Sequence, residues 1–279
     1  MAKKLITLLT DFGEKDWFVG SMKGVIASVC PSAKTIDITH LIPPGNIRRG
    51  AFALRCAYRY FPRGTVHLAV VDPGVGSDRG ILVIRGDGCI FVAPDNGLLS
   101  YILADLEDKA VYHATRKDLF LDETSNTFHG RDIFAPLAAH LAGEISADQV
   151  GPVCTEPITF PLPICRSLDT YNWEVEIITV DNFGNCISSL PMDKMEDLPD
   201  KTRPTSIRIT IHDKKIYLPL IESYSAVEEG IPLAIPGSCG FLELAVNAGN
   251  AAQQLSLKAG DKVVIEFPSL PKSFGIPVC

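Results

Sequence analysis

The chain has 279 residues, of which 46% are hydrophobic and 21% charged, with 22 glycines and 20 prolines. These proportions are those of an ordinary globular protein, and they exclude a disordered chain, a collagen-like repeat and a coiled coil. The 26 lysines and arginines against 33 acidic residues give a formal net charge of −7, which disfavours a nucleic-acid partner. The N-terminal apolar run is too short for a signal peptide, and no stretch approaches the ~18 apolar residues of a spanning helix. We therefore expect a cytoplasmic protein with no membrane partner.

The first half of the chain alternates strand and helix patterns. Apolar runs predict strands, and apolar residues three to four positions apart predict helices between them. In chain order the predicted elements are a strand at 5–10, a helix at 17–26, a strand at 35–39, a helix at 48–60, a strand at 65–71, a hairpin of 81–85 with 89–93, and a helix at 133–142. This alternation is typical of an α/β layer with a largely parallel central sheet.

The second half is rich in strand patterns, and a proline-rich stretch at 151–163 separates it from the first half. Prolines interrupt regular structure, so we place a domain boundary there. Beyond it, short strands are predicted at 173–180, 206–211, 215–218, 233–235, 241–246 and 262–267, with a tight turn at 212–214. Such spacing is typical of a small antiparallel barrel or sandwich. We therefore expect an N-terminal α/β domain over 1–163 and a C-terminal β-rich domain, barrel-like and antiparallel, over 164–279.

The cysteines show no sign of a disulfide framework or a zinc site. There are eight, at positions 30, 56, 89, 154, 165, 186, 239 and 279, and none forms a C-x-x-C pair. Structural zinc sites usually have ligands clustered at short spacing, and a long chain without a signal peptide usually keeps its thiols reduced. We expect core or surface thiols and no metal.

Acidic residues follow two of the predicted buried strands. Asp11 lies where open α/β sheets place ligands, and its carboxylate could accept two hydrogen bonds from a ribose diol. A lone Asp-x-Gly is more often a cap or turn. The second place, 72–80, has the sequence DPGVGSDRG, in which Asp72 and Arg79 could pair across a folded loop. It is neither a P-loop nor a dinucleotide fingerprint, and a structural turn with a surface ion pair is an equal alternative.

Two further polar motifs could carry chemistry. His129, beside Gly130 at the start of a predicted helix, is a better catalytic candidate than the other five histidines, provided that it meets Asp72 and Arg79. In the second half, 181–185 reads DNFGN, which offers amides to a base edge and a phenyl ring for stacking. A polar hairpin turn is the alternative interpretation of that motif.

Taken in order, the motifs TDFG, DITH, VVDPGVGSDRG, APDNGLL, TFHGRD, DNFGN and GSCGFLELAVNAGNAA resemble the S-adenosyl-L-methionine hydroxide adenosyltransferase family. The fluorinases and chlorinases are its halide-using relatives. The resemblance spans 5–267 and implies a homotrimer, with each site between the N-terminal domain of one subunit and the C-terminal domain of the next. It implies attack of water, as hydroxide, on the 5′ carbon of S-adenosylmethionine, giving adenosine and L-methionine. The family uses no cofactor, because S-adenosylmethionine is the substrate.

The resemblance also implies the site residues. Asp72 and His129 would hydrogen-bond and polarise the water, while Arg79 would lower its effective pKa and fix Asp72. The remaining contacts are the ribose diol to Asp11 with Asp16 nearby, the adenine faces to Phe183 and Tyr224, the adenine edge to Asn185, Asn247 and Ala248, the methionine ammonium to Asp181, and its carboxylate to Ser238.

Several positions depart from the halide-using relatives. Those enzymes have Tyr at the position of Asp72, and the fluorinase has Thr and Ser at those of Val75 and Gly130, so the resemblance disfavours a halide pocket. A fluorinase arginine corresponds to Cys239, and an aromatic residue over the ribose corresponds to Gly45. The alternatives kept open are a chlorinase-like halogenase, a sensor of adenosine or S-adenosylmethionine with incidental turnover, and an Asp/His metallohydrolase.

Overall fold

The structure is a computed structural model of the chain, and it describes residues 4–143, 145–195, 204–212 and 214–268. The predicted turn residue Asp213 and the thiol of Cys279 lie outside the described residues. The chain divides into two compact units between Leu162 and Pro163. In the described ranges, no helix combines the length and the apolar character that a bilayer crossing requires.

The first unit is a six-stranded sheet with helices packed against it. Its elements are β1 (Leu5–Thr10), α1 (Phe18–Val29), β2 (Lys34–Thr39), α2 (Ile47–Tyr58), β3 (Val66–Val70), β4 (Ile81–Gly86), β5 (Cys89–Pro94), α3 (Ser100–Asp105), β6 (Lys109–His113) and α4 (Ala135–Gly143). A π-helical turn, Gly130–Phe134, leads directly into α4. The strand order is β2-β1-β3-β5-β4-β6, and the pairs β1–β2, β1–β3 and β3–β5 are parallel.

Burial explains why the centre of this sheet is apolar. Every residue of β3 is buried, as a parallel strand covered on both faces requires. The helices α1 and α4 pack together, and their apolar residues form one core with those of β1 and β3. The register pairs Thr10 with Val70, so the chain leaves β1 and β3 at the same edge. The residues that follow these two strands, Asp11 and Asp72, are thereby placed at that edge.

The second unit is an antiparallel sheet that nearly closes into a barrel. Its elements are β7 (Cys165–Ser167), β8 (Asn172–Val180), β9 (Cys186–Pro191), β10 (Ser206–Ile211), β11 (Lys214–Pro219), β12 (Pro232–Pro236), β13 (Phe241–Val246), α5 (Ala251–Gln254) and β14 (Lys262–Glu266). The strand order is β11-β10-β14-β8-β9-β13-β12, with β7 paired to β8. A bridge between Leu220 and Ala234 connects the two ends of this order.

The predicted fold class is confirmed, including the parallel and antiparallel character of the two sheets. The predicted elements did not include β6, β7, β9, α3 or α5. β9 has the sequence CISSLP, and its two polar serines obscure the apolar pattern of a buried strand. The strand can be buried because the serine hydroxyls form hydrogen bonds inside the protein. Ser188 is fully buried and donates its hydroxyl to the Leu242 carbonyl at 2.7 Å. A hydrogen bond of this kind is invisible to a pattern that counts apolar residues.

Candidate functional site

Two loops at the edge of the first sheet hold the acidic candidates. Asp11 follows β1, and its Oδ2 accepts a hydrogen bond from the Gly45 backbone N–H at 2.7 Å. Gly45 has φ +70°, and a Cβ there would lie 3.7 Å from Pro73. The Asp11, Gly45 and Asp72 segments are therefore in contact. Asp16 lies exposed on the segment before α1.

Asp72, Arg79 and His129 form one connected chain of hydrogen bonds. Arg79 donates to Asp72 Oδ2 from Nε at 2.8 Å and from Nη2 at 2.5 Å. The same Nη2 lies 2.9 Å from His129 Nδ1. The side chains of Asp72 and Arg79 are only 4% and 9% exposed, so the expected ion pair is buried rather than on the surface. The Arg79 guanidinium also lies over the Phe134 ring, 5.0 Å from its centre.

Glycines allow the loop with Asp72 to approach the segment before α4. Gly76 has φ +83°, and a Cβ there would lie only 2.6 Å from the Asn126 carbonyl oxygen. A Cβ at Gly130 would lie 2.9 Å from the Phe12 ring. Larger residues at either position would force these segments apart. The two glycines thus let residues 72, 79 and 129 meet.

The tautomer of His129 follows from its partner. A guanidinium has only donors, so His129 Nδ1 must accept from Arg79, and the ring proton must be on Nε2. Burial and the positive charge of Arg79 both lower the pKa of His129 below its ordinary value, with opposing but smaller effects from Asp72 and Asp132. His129 is therefore a neutral ring that presents an N–H donor.

One oxygen of Asp72 has no hydrogen-bond donor among the described residues. Oδ1 is buried, and among the described residues no hydrogen-bond donor reaches it, whereas Oδ2 receives both bonds from Arg79. A buried carboxylate oxygen without a partner is costly and commonly marks a place where a ligand or substrate group binds. The triad can therefore offer one acceptor, Asp72 Oδ1, and one donor, His129 Nε2.

Asp132 is a structurally important residue that the sequence reading did not single out. It is fully buried and accepts from the Ser125 backbone N–H and hydroxyl, both at 2.8 Å, and from Arg131 Nε at 2.5 Å. Burial raises the pKa of Asp132, but these hydrogen bonds outweigh it and the pKa is lowered. This carboxylate fixes the segment that carries His129. Its place in the first turn of a helix was the available signal.

On the second unit, Asp181 organises the turn after β8. Its Oδ1 accepts from the backbone N–H of Phe183 at 2.8 Å and of Asn185 at 2.9 Å, and its Oδ2 accepts from Asn185 Nδ2 at 3.0 Å. Asn185 is buried by this contact, whereas the Phe183 ring is 75% exposed. The expected turn interpretation and the binding interpretation are therefore compatible, because the turn itself presents the phenyl ring.

The other candidates on this unit lie around the start of β13 and its end. Ser238 is exposed, and Asn247 is held by its Nδ2 donating to the Val227 carbonyl at 2.8 Å. Ala248 has φ +52°, an uncommon backbone conformation for a residue with a Cβ. The sequence reading missed Glu243, a buried carboxyl that accepts from the Tyr224 hydroxyl at 3.5 Å. Burial and the nearby Asp181 raise the pKa of Glu243.

The triad is not itself a group of metal-ligand type. Within the described ranges, the group of three or more such side chains that could hold a metal ion is Asp95, His113 and Cys154, on the first unit.

The candidate residues are divided between the two units. The water-holding candidates and Asp11 and Asp16 lie on the first unit, and all other candidate contacts lie on the second.

Comparison with known proteins gives a consistent result over nearly the whole chain. The model of the SAM hydroxide adenosyltransferase N-terminal domain matches residues 6–151, and that of the C-terminal domain of the same family matches residues 175–264.

Curated relatives and solved structures extend the match. An (R)-S-adenosyl-L-methionine hydrolase of Salinispora tropica is 40% identical, over 92% of this chain and 96% of the relative. The protein of that name in Thermus thermophilus is 36% identical, over 91% and 96%. A fluorinase of Actinopolyspora mzabensis is 27% identical, over 94% and 97%. The crystal structure of an uncharacterized conserved protein from Thermotoga maritima is 37% identical, with a TM-score of 0.88 over 93% of this chain and 99% of that one.

Proposed function

The chain belongs to the SAM hydroxide adenosyltransferase family and hydrolyses S-adenosyl-L-methionine, and we propose that Asp72, Arg79 and His129 hold the attacking water. The water oxygen forms a bond to the ribose 5′ carbon while the bond from that carbon to sulfur breaks. The sulfonium leaves as the neutral thioether of L-methionine, and the attacking water loses one proton, leaving adenosine. The buried hydrogen-bond chain from Asp72 through Arg79 to His129 is the observation that carries this proposal.

The leaving group determines what the protein must supply. A sulfonium departs without protonation. The main tasks are therefore to place one water molecule in line with the breaking bond and to exclude other water molecules that would hydrogen-bond to it. A positioned acceptor for the water proton adds typically ~10²- to 10⁴-fold to the rate. The buried, hydrogen-bonded triad suits both tasks.

Each member of the triad has a distinct role in this proposal. His129 Nε2–H donates to the water oxygen, and Asp72 Oδ1 accepts one water proton, so the remaining lone pair points along a defined direction. The His129 lone pair at Nδ1 is already occupied by Arg79. Asp72 is therefore the group that takes the proton as the bond to carbon forms. Arg79 orients both partners and supplies positive charge beside the developing hydroxide.

A carboxylate at this position also distinguishes water from halide. Asp72 would repel a chloride or fluoride ion placed against Oδ1, whereas it accepts a hydrogen bond from water. The halogenase alternative therefore has no support from the geometry of the triad.

The proposed substrate contacts follow from groups that remain available. Asp11 uses Oδ2 for Gly45, which leaves Oδ1 for the ribose diol, with Asp16 nearby. The exposed Phe183 ring and Tyr224 supply faces for adenine. Its edge would meet Asn185 and the turn at Asn247 and Ala248.

The methionine end carries one ammonium and one carboxylate group. Asp181 lies close enough to the buried Glu243 to raise the pKa of Glu243, and the two carboxyl groups make a region that suits the ammonium. Ser238 offers a hydroxyl to the carboxylate, and Cys239 stands where the fluorinase has an arginine. We therefore expect this chain to bind the methionine carboxylate more weakly than the fluorinase does.

We further propose that the protein assembles as a homotrimer and that each site draws its water-holding residues and its adenine contacts from two subunits. The support is the family membership, together with the division of the candidates between the two units. Mass measurement in solution tests the trimer, and a mass of one subunit would contradict it.

A product assay tests the proposed reaction. Incubation of the purified chain with S-adenosylmethionine should give adenosine and methionine in equal amounts, with or without chloride. Dominant 5′-chloro-5′-deoxyadenosine in chloride would establish the halogenase instead. Bound adenosine without turnover would establish the sensor.

A further inference from the structure

A second group of polar side chains lies in the first unit, and the proposed hydrolysis does not use it. Asp95 follows β5, His113 ends β6, and Cys154 lies beyond α4. One ligand-type atom from each of the three lies within 4.8 Å of the others. We propose that Asp95, His113 and Cys154 bind a divalent cation of the zinc class, with water as the fourth ligand, at a site separate from the water-holding triad.

The donor atoms suit such an ion. Zinc takes sulfur, imidazole nitrogen and carboxylate oxygen at ~2.0–2.3 Å, so tetrahedral ligands lie roughly 3.3–3.7 Å apart. His113 Nε2 and Asp95 Oδ2 are 3.0 Å apart. The sulfur lies within 4.8 Å of one ligand-type atom of each of the other two residues, so it would need to move in by about 1 Å at most. Magnesium and calcium, which take oxygen ligands, would not use the thiolate.

Two of the three ligands are already fixed by hydrogen bonds to other parts of the first unit. Asp95 Oδ1 accepts from the Ile158 backbone N–H at 2.8 Å, which directs Oδ2 towards His113. Cys154 donates its backbone N–H to the Val111 carbonyl at 2.8 Å, so the cysteine is anchored to β6. Supporting hydrogen bonds of this kind fix ligand orientation in metal sites.

Charge and access also fit the ion. A bound cation would deprotonate the thiol, and the thiolate and the Asp95 carboxylate would then neutralise its charge. The His113 side chain is 36% exposed, which leaves a route from solvent, whereas Asp95 and Cys154 are buried.

The site would act on the segment that carries the triad. Asp95 donates its backbone N–H to the Gly80 carbonyl at 3.0 Å, and Gly80 directly follows Arg79. A Cβ at Gly80 would lie 3.2 Å from His113 Nε2, so glycine leaves room for the ring. A cation here would tie β5, β6 and the segment at 154 together beside Arg79.

Cobalt binding tests the site directly, without substrate. The purified full chain, stripped with a chelator and dialysed, should show a thiolate-to-cobalt charge-transfer band that saturates at one equivalent of Co²⁺ and is lost on adding Zn²⁺. Cys154→Ser should lose the band. Cys165→Ser, which changes an exposed thiol, is the matched control and should keep it.

A second measurement needs no variant. In the zinc-free wild-type chain the buried Cys154 should be alkylated slowly through local opening, followed by peptide mass spectrometry until modification is complete. Zn²⁺ should slow this reaction and leave the rate at the exposed Cys165 unchanged. Absence of the band, its persistence in Cys154→Ser, or equal alkylation with and without Zn²⁺ would show only a hydrogen-bonded Asp95–His113 pair beside a thiol. These measurements do not involve S-adenosylmethionine, so their failure is distinct from failure of the proposed hydrolysis.

Discussion

Replacing Asp72 with asparagine removes the proposed proton acceptor while preserving the shape of the side chain. The amide oxygen can still accept from Arg79, which directs the amide NH₂ towards the position of Oδ1. A donor then stands where the water proton should go. The variant should keep its substrate contacts, because the proposed adenine and methionine contacts lie elsewhere.

The magnitude of the effect follows from the burial and the chemistry. Losing a positioned proton acceptor should lower kcat by about 10²- to 10⁴-fold, with little change in KM. Because Arg79 is buried and would face a neutral partner, the free energy of unfolding should fall by about 1–3 kcal/mol. That loss is smaller than the total stability of a typical domain, so the variant should remain folded at 25 °C.

The assay is steady-state adenosine formation, followed by chromatography, with urea unfolding of the same preparations. Asp78→Asn is the matched control, since it makes the same change in the same loop at an exposed carboxylate. It should leave kcat near wild type and stability within about 0.5 kcal/mol. If folded Asp72→Asn retained kcat within about threefold of wild type, Asp72 would not be the acceptor.

Three further predictions concern protonation and assembly. His129 accepts from Arg79 only when Nδ1 is unprotonated, so kcat/KM should fall as the pH drops through a pKa below the ordinary 6.5. A fall in kcat/KM with a pKa above 6.5 would argue against that tautomer. Burial lowers the pKa of His67 to about 4, so the unfolded chain binds more protons between pH 6.5 and 4. Urea titrations should show the free energy of unfolding falling by about 3 kcal/mol as the pH drops through that window, and the same slope in His67→Gln would refute the assignment. Co-expressed Asp72→Asn and Phe183→Ala chains, assayed well below KM, should regain about a quarter of wild-type activity, because one site in four draws both intact halves from different subunits. Activity equal to the mean of the two variants would place each site within one subunit.

The elements that place the triad could be read from sequence because their signals are local. The apolar run of β3 and the alternation of β1, α1 and β2 depend only on neighbouring residues, and β1 has the predicted bounds. β6 and β9 could not be found in this way. β6 has only one apolar pair, and β9 depends on a hydrogen bond from Ser188 to Leu242, 54 residues away.

Prediction of the site from the sequence is limited in the same way. Sequence motifs identified Asp72 and Arg79 as a possible pair and His129 as a catalytic candidate, and the family resemblance grouped the three. Their meeting in space depends on Gly76 passing close to Asn126. Long-range contacts of this type have no signature in a single sequence. The roles of Asp132 and Glu243 were missed for the same reason, because burial distinguishes them from ordinary surface acids.

Cys154 is a further case of long-range placement. Its ligand-type neighbours, Asp95 and His113, lie 59 and 41 positions earlier in the chain. The sequence has no zinc ligands at short spacing and therefore predicts no metal site. Here the sheet, rather than a short loop, brings the three side chains together.

The most direct test of the account is the fate of the water oxygen. Hydrolysis of S-adenosylmethionine in H₂¹⁸O should place one ¹⁸O atom in the 5′-hydroxyl of adenosine and none in methionine, as mass spectrometry of both products would show. That outcome requires water to form the new bond at the 5′ carbon, where the triad is proposed to hold it. Unlabelled adenosine, or label in methionine, would contradict the proposed reaction.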